Sequence, residues 1–315
     1  MNPPDLEIPV FVATRSQDVP SRCVRFVSVD GSVPGATVTW DHHVTGEDIN
    51  LDAMPPRFDM TGFDGVGTTM ADTDAVASVV AVLFGGKANL PPHVLDLLWS
   101  ASYRCDHLLP HPKLSDEVNE RGRGVHGHVT LRLHSGPGAF AAVCRDLATL
   151  IFEGKELPSD TRQQDAQRAF ARALEADGRI RVVGKVGLVD LRGRDRVDPE
   201  ALYELISAPV SVVVEEHPRG GLRYTVGVNP RVEDRPSSLR RALELLASAE
   251  HAHGAPSASP IPGPGSENWG GRATVFGSPW NYGSRLSVEE VIRWVGEGIE
   301  GSAPAIGASA KSIPG

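Results

Sequence analysis

The sequence predicts an α/β protein: a mostly parallel sheet with flanking helices, followed by a second, smaller α/β or α+β domain. Three observations predict it. Short β-branched runs alternate with helical patterns in the first third of the chain, several of these elements begin or end at an aspartate or histidine, and 315 residues suffice for two hydrophobic cores.

The elements follow in order. Residues 9–14, P-V-F-V-A-T, form a first short strand, and residues 24–30, V-R-F-V-S-V-D, have the continuous apolar pattern of a buried strand closing on Asp30. Residues 37–40, T-V-T-W, give a third strand, running directly into Asp41, His42 and His43. Residues 62–69, G-F-D-G-V-G-T-T, read as a glycine-rich loop whose N–H groups face phosphate oxygens at the start of a helix over 73–84. Asp72 and Asp74 at that helix start oppose an anion unless metal ions neutralise them. A further helix is expected over 94–103. In residues 122–134, G-R-G-V-H-G-H-V-T-L-R-L-H, strand alternation puts His126, His128 and His134 on one face, a spacing open to metal or phosphate contact and equally to plain polar surface. Residues 159–176 have Ala166, Phe170, Ala173 and Leu174 on one helical face with charges opposite, and Gly178 closes the pattern.

Beyond it come strands at 179–191, 210–215, 222–228 and 273–276, with helices at 199–207 and 237–249. Residues 255–265, A-P-S-A-S-P-I-P-G-P-G, are too rich in proline and glycine for regular structure, and 301–315 read as a disordered tail. The expected organisation is therefore one domain over 1–155, a connector helix over 156–178, a second domain over 179–300 and the tail.

Four segments, V-S-V-D, W-D-H-H, A-D-T-D-A-V-A-S and Y-R-C-D-H, deliver Asp or His where a hydrophobic element begins or ends. Ligands collect at the carboxyl ends of strands in open α/β sheets, and a dinuclear site for hard divalent ions needs several carboxylates, one of them bridging, with some imidazole. The plainer reading makes Asp72 or Thr73 a helix N-cap and Asp74 a first-turn acid. Capping and ligation are compatible.

These residues resemble the DHH phosphoesterase superfamily. F-V-S-V-D resembles the strand carrying the bridging aspartate, T-W-D-H-H the signature itself, and W-S-A-S-Y-R-C-D-H the later segment with another metal carboxylate. The family's first motif, D-x-D-A-x-x-S, normally precedes the others; here D-T-D-A-V-A-S follows the DHH triplet, as a displaced motif. The resemblance implies two divalent ions, Mn²⁺ first and Mg²⁺ as the alternative, held by Asp30, His42, Asp72, Asp74 and Asp106, with Asp30 as the bridge. It also implies that His43 faces the substrate; beside it, Asp41 is read as orienting an imidazole or ligating weakly, and His107, adjoining Asp106, as a substrate contact. The second domain resembles the substrate-binding domain that often follows a DHH domain. N-W-G-G-R stands where a G-G-G-H loop is expected, and two readings stay open: Trp269 stacks on a base, Gly270 and Gly271 form the turn and Arg272 clamps phosphate, or the glycines make a tight turn and Trp269 fills core.

Composition bounds the partners. A formal charge of −9 weighs against a long duplex nucleic acid and fits a small nucleotide or short oligonucleotide substrate. No run approaches the roughly 18 apolar residues of a membrane helix, and the N-terminus lacks signal-peptide regions, so a cytoplasmic address is expected and no membrane partner. Three cysteines without a C-x-x-C pair argue against a disulfide framework or a structural zinc site. A homodimer is left open. Two other classes stand beside the hydrolase: a degenerate relative that binds nucleotide or metal without hydrolysis, favoured if Asp72 and Asp74 lie far from His42, and a structural protein whose aspartates only cap helices.

Overall fold

Four short strands, all parallel, build the first sheet: β1 (Val10–Val12), β2 (Phe26–Val29), β3 (Val38–Trp40) and β4 (Gly65–Thr68), in the spatial order β1-β4-β2-β3. The structure is a computed structural model and describes residues 4, 6–255 and 267–300. The tail at 301–315 and nearly all of the proline-rich segment at 255–265 lie outside the described residues. The fold is α/β, and the chain divides into two compact units, Met1–Asp165 and Ala166–Gly315.

In the first unit, β2 and β4 are buried along their whole length, which is why their sequences run without polar alternation. The register aligns the strand ends: Val29 pairs with Trp40 and Ser28 with Gly67, so Asp30, Asp41 and the loop after β4 emerge along one edge of the sheet. The short helices α1 (His42–Thr45) and α2 (Asn50–Ala53) follow β3. α3 (Thr73–Leu83) follows β4 and is buried at every position, packed on β2, β4 and the helices α4 (Pro92–His107), α5 (Asp116–Leu133) and α6 (Ala139–Phe152). A helix apolar on all sides belongs inside a core.

Two sequence expectations change here. Residues 65–68 are a central strand and not a phosphate-binding loop. Gly65 and Gly67 are required by packing: a Cβ at Gly67 would stand 2.6 Å from the Phe11 ring and one at Gly65 2.8 Å from Cys23 Sγ. Residues 122–134 are helical, so His126, His128 and His134 do not share a strand face. The glycines that weaken the helical pattern let α5 approach its neighbours: a Cβ at Gly122 would collide with Ser100 on α4, one at Gly124 with Ser159, and one at Gly127 with the Asp160 carbonyl.

The division between units falls inside α7 (Arg162–Ala176). The second unit holds a mixed sheet of β5 (Ile180–Val183), β6 (Val186–Asp190), β7 (Val210–Glu216), β8 (Leu222–Val228), β9 (Gly270–Gly271) and β10 (Val275–Gly277), ordered β5-β6-β7-β8-β10-β9. Only β6 and β7 pair in parallel, and α8 (Pro199–Tyr203) lies in their connection. The expected single strand over 179–191 is a hairpin, turned at Gly184 with φ +60°, where glycine carries no Cβ penalty. Helices α9 (Arg240–Ala252) and α10 (Val288–Glu300) pack together, and Leu246, Val291 and Val295 join Val210, Val212 and Trp269 in this unit's core. No helix among the described residues is long and apolar enough to cross a membrane.

Candidate metal centre

The carboxyl edge of the parallel sheet gathers seven of the side chains that the sequence singles out. Asp30 follows β2 in the left-handed region at φ +48°, a conformation that aspartate tolerates better than most residues and that a tightly held turn must enforce. The turn is held from both sides: Asp30 N–H donates to the Trp40 carbonyl at 3.0 Å, and Thr68 Oγ1 donates to the Asp30 carbonyl at 3.1 Å. Gly31, at φ +123°, abuts Thr69 so closely that a Cβ there would collide with it.

Asp41 caps α1. Its Oδ1 accepts the His43 N–H at 3.0 Å and lies 3.1 Å from His43 Nδ1, so the carboxylate fixes both the helix start and the imidazole. His42 is buried and lies 3.3 Å, through Nδ1, from the Glu47 carbonyl. A carbonyl accepts only, so Nδ1 carries hydrogen and Nε2 is turned to the carboxylates. Nε2 stands 3.4 Å from Asp30 Oδ1, 3.3 Å from Asp106 Oδ2 and 3.7 Å from Asp74 Oδ2, and makes no hydrogen bond.

Asp72 and Asp74 come from the start of α3. Asp72 is the N-cap, with Oδ1 accepting the Ala75 N–H at 2.9 Å. Asp74 is fully buried; its Oδ2 accepts the Asn50 N–H at 2.8 Å, and its Oδ1 is buried with no hydrogen-bond donor. Capping and membership of the cluster therefore coexist in these residues. Asp106 enters from the last turn of α4 and is the most open of the four carboxylates.

The electrostatics follow from the crowding. Burial raises the Asp72 carboxyl to about 7, with the charges of Asp30 and Asp106 adding to it. Burial, then Asp106 and Asp30, hold Asp74 well above the usual carboxylate range, and burial also raises Asp106. Desolvation opposes a charged His42, but Asp30, Asp106 and Asp74 outweigh it and hold the imidazole at about 9. Four carboxylates share one imidazolium, a charge imbalance that divalent cations would relieve.

The donor set fits such ions. Two groups among the described residues, Asp30 with His42 and His43, and His42 with Asp74 and Asp106, bring their donor atoms within 4.8 Å of one another. Adjacent ligands on an octahedral ion bound at about 2.1 Å lie about 3 Å apart, close to the separations around His42 Nε2. Oxygen-rich sites with some imidazole suit Mn²⁺ and Mg²⁺ better than thiophilic metals. The orphaned His42 Nε2 and Asp74 Oδ1 are the atoms that a cation would satisfy, since polar atoms buried without partners are costly.

One residue escaped the sequence reading. Asn50, fully buried, accepts the His42 N–H on Oδ1 at 3.3 Å, donates its own N–H to Asp74, and donates Nδ2–H to Ser78 Oγ at 3.0 Å. It ties the DHH segment to D-T-D-A-V-A-S and uses the serine of that motif. The only sequence signal was an asparagine entering an apolar helical turn, N-L-D-A. His126 Nδ1 lies 2.8 Å from Thr73 Oγ1, behind the start of α3, while His134 turns back to its own helix at the Thr130 carbonyl. His126, His128 and His134 do not converge.

His107 stacks on Tyr103, with ring centroids 4.2 Å apart, and places Nε2 2.8 Å from the Asp48 carbonyl. In the second unit the core reading of N-W-G-G-R is the one that matches. Trp269 is fully buried, stacked on Tyr224 at 5.8 Å and donating Nε1–H to Glu250 at 3.0 Å, so it fills core and has no face for a base. Gly270 and Gly271 form β9, where a Cβ at Gly271 would stand 2.6 Å from Phe276 Cα, a need set by strand packing and not by a ligand. Arg272 is exposed in the turn to β10, with its N–H donated to the Val275 carbonyl at 2.8 Å.

No family model matches the chain, and no curated protein matches it. Among solved structures it is similar to PggH, a pGpG-specific phosphodiesterase from Vibrio cholerae, at 14% identity over 88% of this chain and 97% of that one, with a TM-score of 0.42.

Proposed function

We propose that this chain is a divalent-metal-dependent phosphoesterase of the DHH type, cleaving a phosphodiester or phosphoanhydride in a small nucleotide or short oligonucleotide. The observation that carries the reading is the convergence of Asp30, Asp74 and Asp106 on the unpaired Nε2 of His42 at the carboxyl edge of a parallel sheet. The nearness of Asp74 to His42 supports the displaced motif, because a D-x-D serving only as a helix start had no reason to reach the DHH triplet.

Asp30, His42, Asp72, Asp74 and Asp106 would hold two ions, Mn²⁺ or Mg²⁺, with Asp30 between them. Bound there, such ions supply Lewis acidity and a water nucleophile of lowered pKa. The chain's own groups do the rest. Asp41 occupies the Nδ1 side of His43, whose side chain is half-exposed, and so leaves Nε2 as the nitrogen that meets substrate. From there the ring binds a phosphoryl oxygen or assists departure of the leaving oxygen. Asn50 holds His42 and Asp74 in register without touching substrate. His107 at the end of α4 remains a candidate substrate contact; Arg272 is, within the second unit by itself, a candidate phosphate contact. We place the protein in the cytoplasm on its sequence, acting there on a soluble nucleotide; the division into a catalytic 1–155, a connector 156–178 and a substrate-binding 179–300 is part of the same proposal.

The test is hydrolysis of bis-p-nitrophenyl phosphate and of a short oligonucleotide, with Mn²⁺ or with chelator, by wild type, Asp72→Ala and His42→Ala. Metal-dependent turnover that each substitution lowers by about 100-fold or more is expected, since even the outer partners of metal ligands are typically worth about 10- to 100-fold. Turnover indifferent to chelator would refute the metal. Tight Mn²⁺ binding with no turnover of either substrate would make the chain a binder.

A further inference from the structure

We infer that His126 is a positioning residue for the carboxylate cluster: from α5, through Thr73, it fixes the first turn of α3 and with it the placement of Asp72 and Asp74. This rests on the proposed metal centre and adds to it a residue that touches neither ion nor substrate.

Thr73 is the first residue of α3, 2% exposed, and lies between the two aspartates in sequence. At 100° per residue its side chain points away from both, toward α5, where its Oγ1 meets His126 Nδ1 at 2.8 Å. The N-cap bond from Asp72 to Ala75 is internal to α3 and leaves open how the helix start is set against the sheet. The Asn50 bond to Asp74 anchors one side, from α2. The Thr73 hydroxyl anchors the other, from α5.

The packing of α5 is built for this approach. Gly122, Gly124 and Gly127 surround His126 in sequence, and a side chain at any of them would collide with Ser100, Ser159 or Asp160. Glycine in a helix interior costs about 1 kcal/mol relative to alanine, so three within six residues of one helix are kept against propensity. Burial, with the Arg104 charge adding to it, holds the His126 imidazole down to about 4, so the ring is a neutral hydrogen-bonding group throughout the neutral range. A shift of the α3 start by about 1 Å would move two carboxylates together, a displacement that typically costs about 100-fold where geometry matters.

The experiment measures Mn²⁺ affinity by isothermal titration calorimetry, together with the metal-free melting temperature, on the full chain as wild type, Thr73→Val, His126→Ala, His126→Asn and the double variant Thr73→Val/His126→Ala. Thr73→Val removes the hydroxyl at constant shape and serves even if His126→Ala fails to fold. Asparagine places a side-chain amide near the Nδ1 position. Expected are losses of about 10- to 100-fold in affinity for Thr73→Val and His126→Ala, a double variant no weaker than the worse single, and His126→Asn within about threefold of wild type. Wild-type affinity in Thr73→Val and His126→Ala, with only the melting temperature lowered, would overturn the inference and leave the metal centre standing. Absence of Mn²⁺ binding by wild type would overturn the metal centre, and the inference with it.

Discussion

Replacing Asp74 by asparagine separates a metal ligand from a structural acid, because the two roles give opposite signs for stability. The Asp74 carboxyl has no solvent exposure, one oxygen satisfied by Asn50 N–H and the other bare, in the field of Asp30 and Asp106. Asparagine has the same shape. Its Oδ1 can keep the Asn50 bond, while its Nδ2–H points where the bare oxygen stood, toward acceptors on Asp106 and Asp30. The substitution thus removes a buried like charge and turns an unsatisfied acceptor into a satisfied donor. An unsatisfied buried polar atom costs about 1–3 kcal/mol, so metal-free Asp74→Asn is expected to be more stable than metal-free wild type by that order. At about 2–4 °C per kcal/mol for a unit of this size, the melting point in chelator rises by roughly 3–10 °C. The sign of the pH dependence follows. A carboxyl raised in the folded state binds its proton more tightly there than in the unfolded chain, so wild-type stability falls as pH rises above the unfolded value. The advantage of the variant is accordingly larger at pH 8 than at pH 5. Mn²⁺ should reverse the order, since a ligand at 100 times its Kd adds about 2.7 kcal/mol to the form that binds it. Scanning calorimetry of both proteins, in chelator and in Mn²⁺, reads all of this. If chelated Asp74→Asn melts lower than wild type, Asp74 stabilises α3 and the ligand assignment fails.

Two further outcomes follow from the same physics. Mn²⁺ must displace the protons held on His42 at about 9 and Asp72 at about 7, with Asp74 and Asp106 also raised, so affinity should climb by at least about tenfold per pH unit between 7 and 9 and more steeply below 7; titrations in buffers of different ionisation enthalpy count the released protons, and none released at pH 8 would contradict the site. Gly67→Ala should destabilise the fold by about 1–3 kcal/mol through overpacking against Phe11, read as a lower urea midpoint at unchanged slope, whereas a phosphate-binding loop would tolerate the methyl and lose affinity for phosphate instead.

How much of this was legible in the chain divides along a physical line. Elements whose residues report their own environment were visible: β2 and β3 as β-branched runs stopping at a carboxylate, α3 as an apolar helix behind an Asx cap, β7 and β8 as paired apolar stretches. Elements whose composition is dictated by a neighbour were not. Gly65 and Gly67 make a core strand look like a loop because Phe11 and Cys23 need the volume. Gly122, Gly124 and Gly127 make α5 look like anything but a helix because α4 and residues 159–160 need it. Trp269 beside two glycines looked like a ligand platform, yet the ring serves Tyr224 and Glu250 and the glycines serve β10. In each case the sequence shows the accommodation and hides what is accommodated.

The site was legible residue by residue and illegible as an arrangement, and the reason lies in sheet topology. The chain leaves β3, crosses back over the sheet and lays β4 on the far side of β2, between β2 and β1. The strand that comes first in the chain is therefore an edge strand, one position removed from Asp30, and whatever follows it is poorly placed to join a cluster centred on the end of β2. The loop after β4 is the one delivered there. In this order of strands the segment behind β4 is the one that brings Asp72 and Asp74 toward the end of β2, with Asp74 3.7 Å from His42. All strands being parallel, every carboxyl end opens on the same edge, and a ligand's rank in the chain is immaterial once its strand is adjacent. Adjacency is fixed by pairing register and crossover, neither of which a single sequence displays. On the proposed reading of Asp72 and Asp74 as ligands, this strand order is what lets them reach His42 from behind β4.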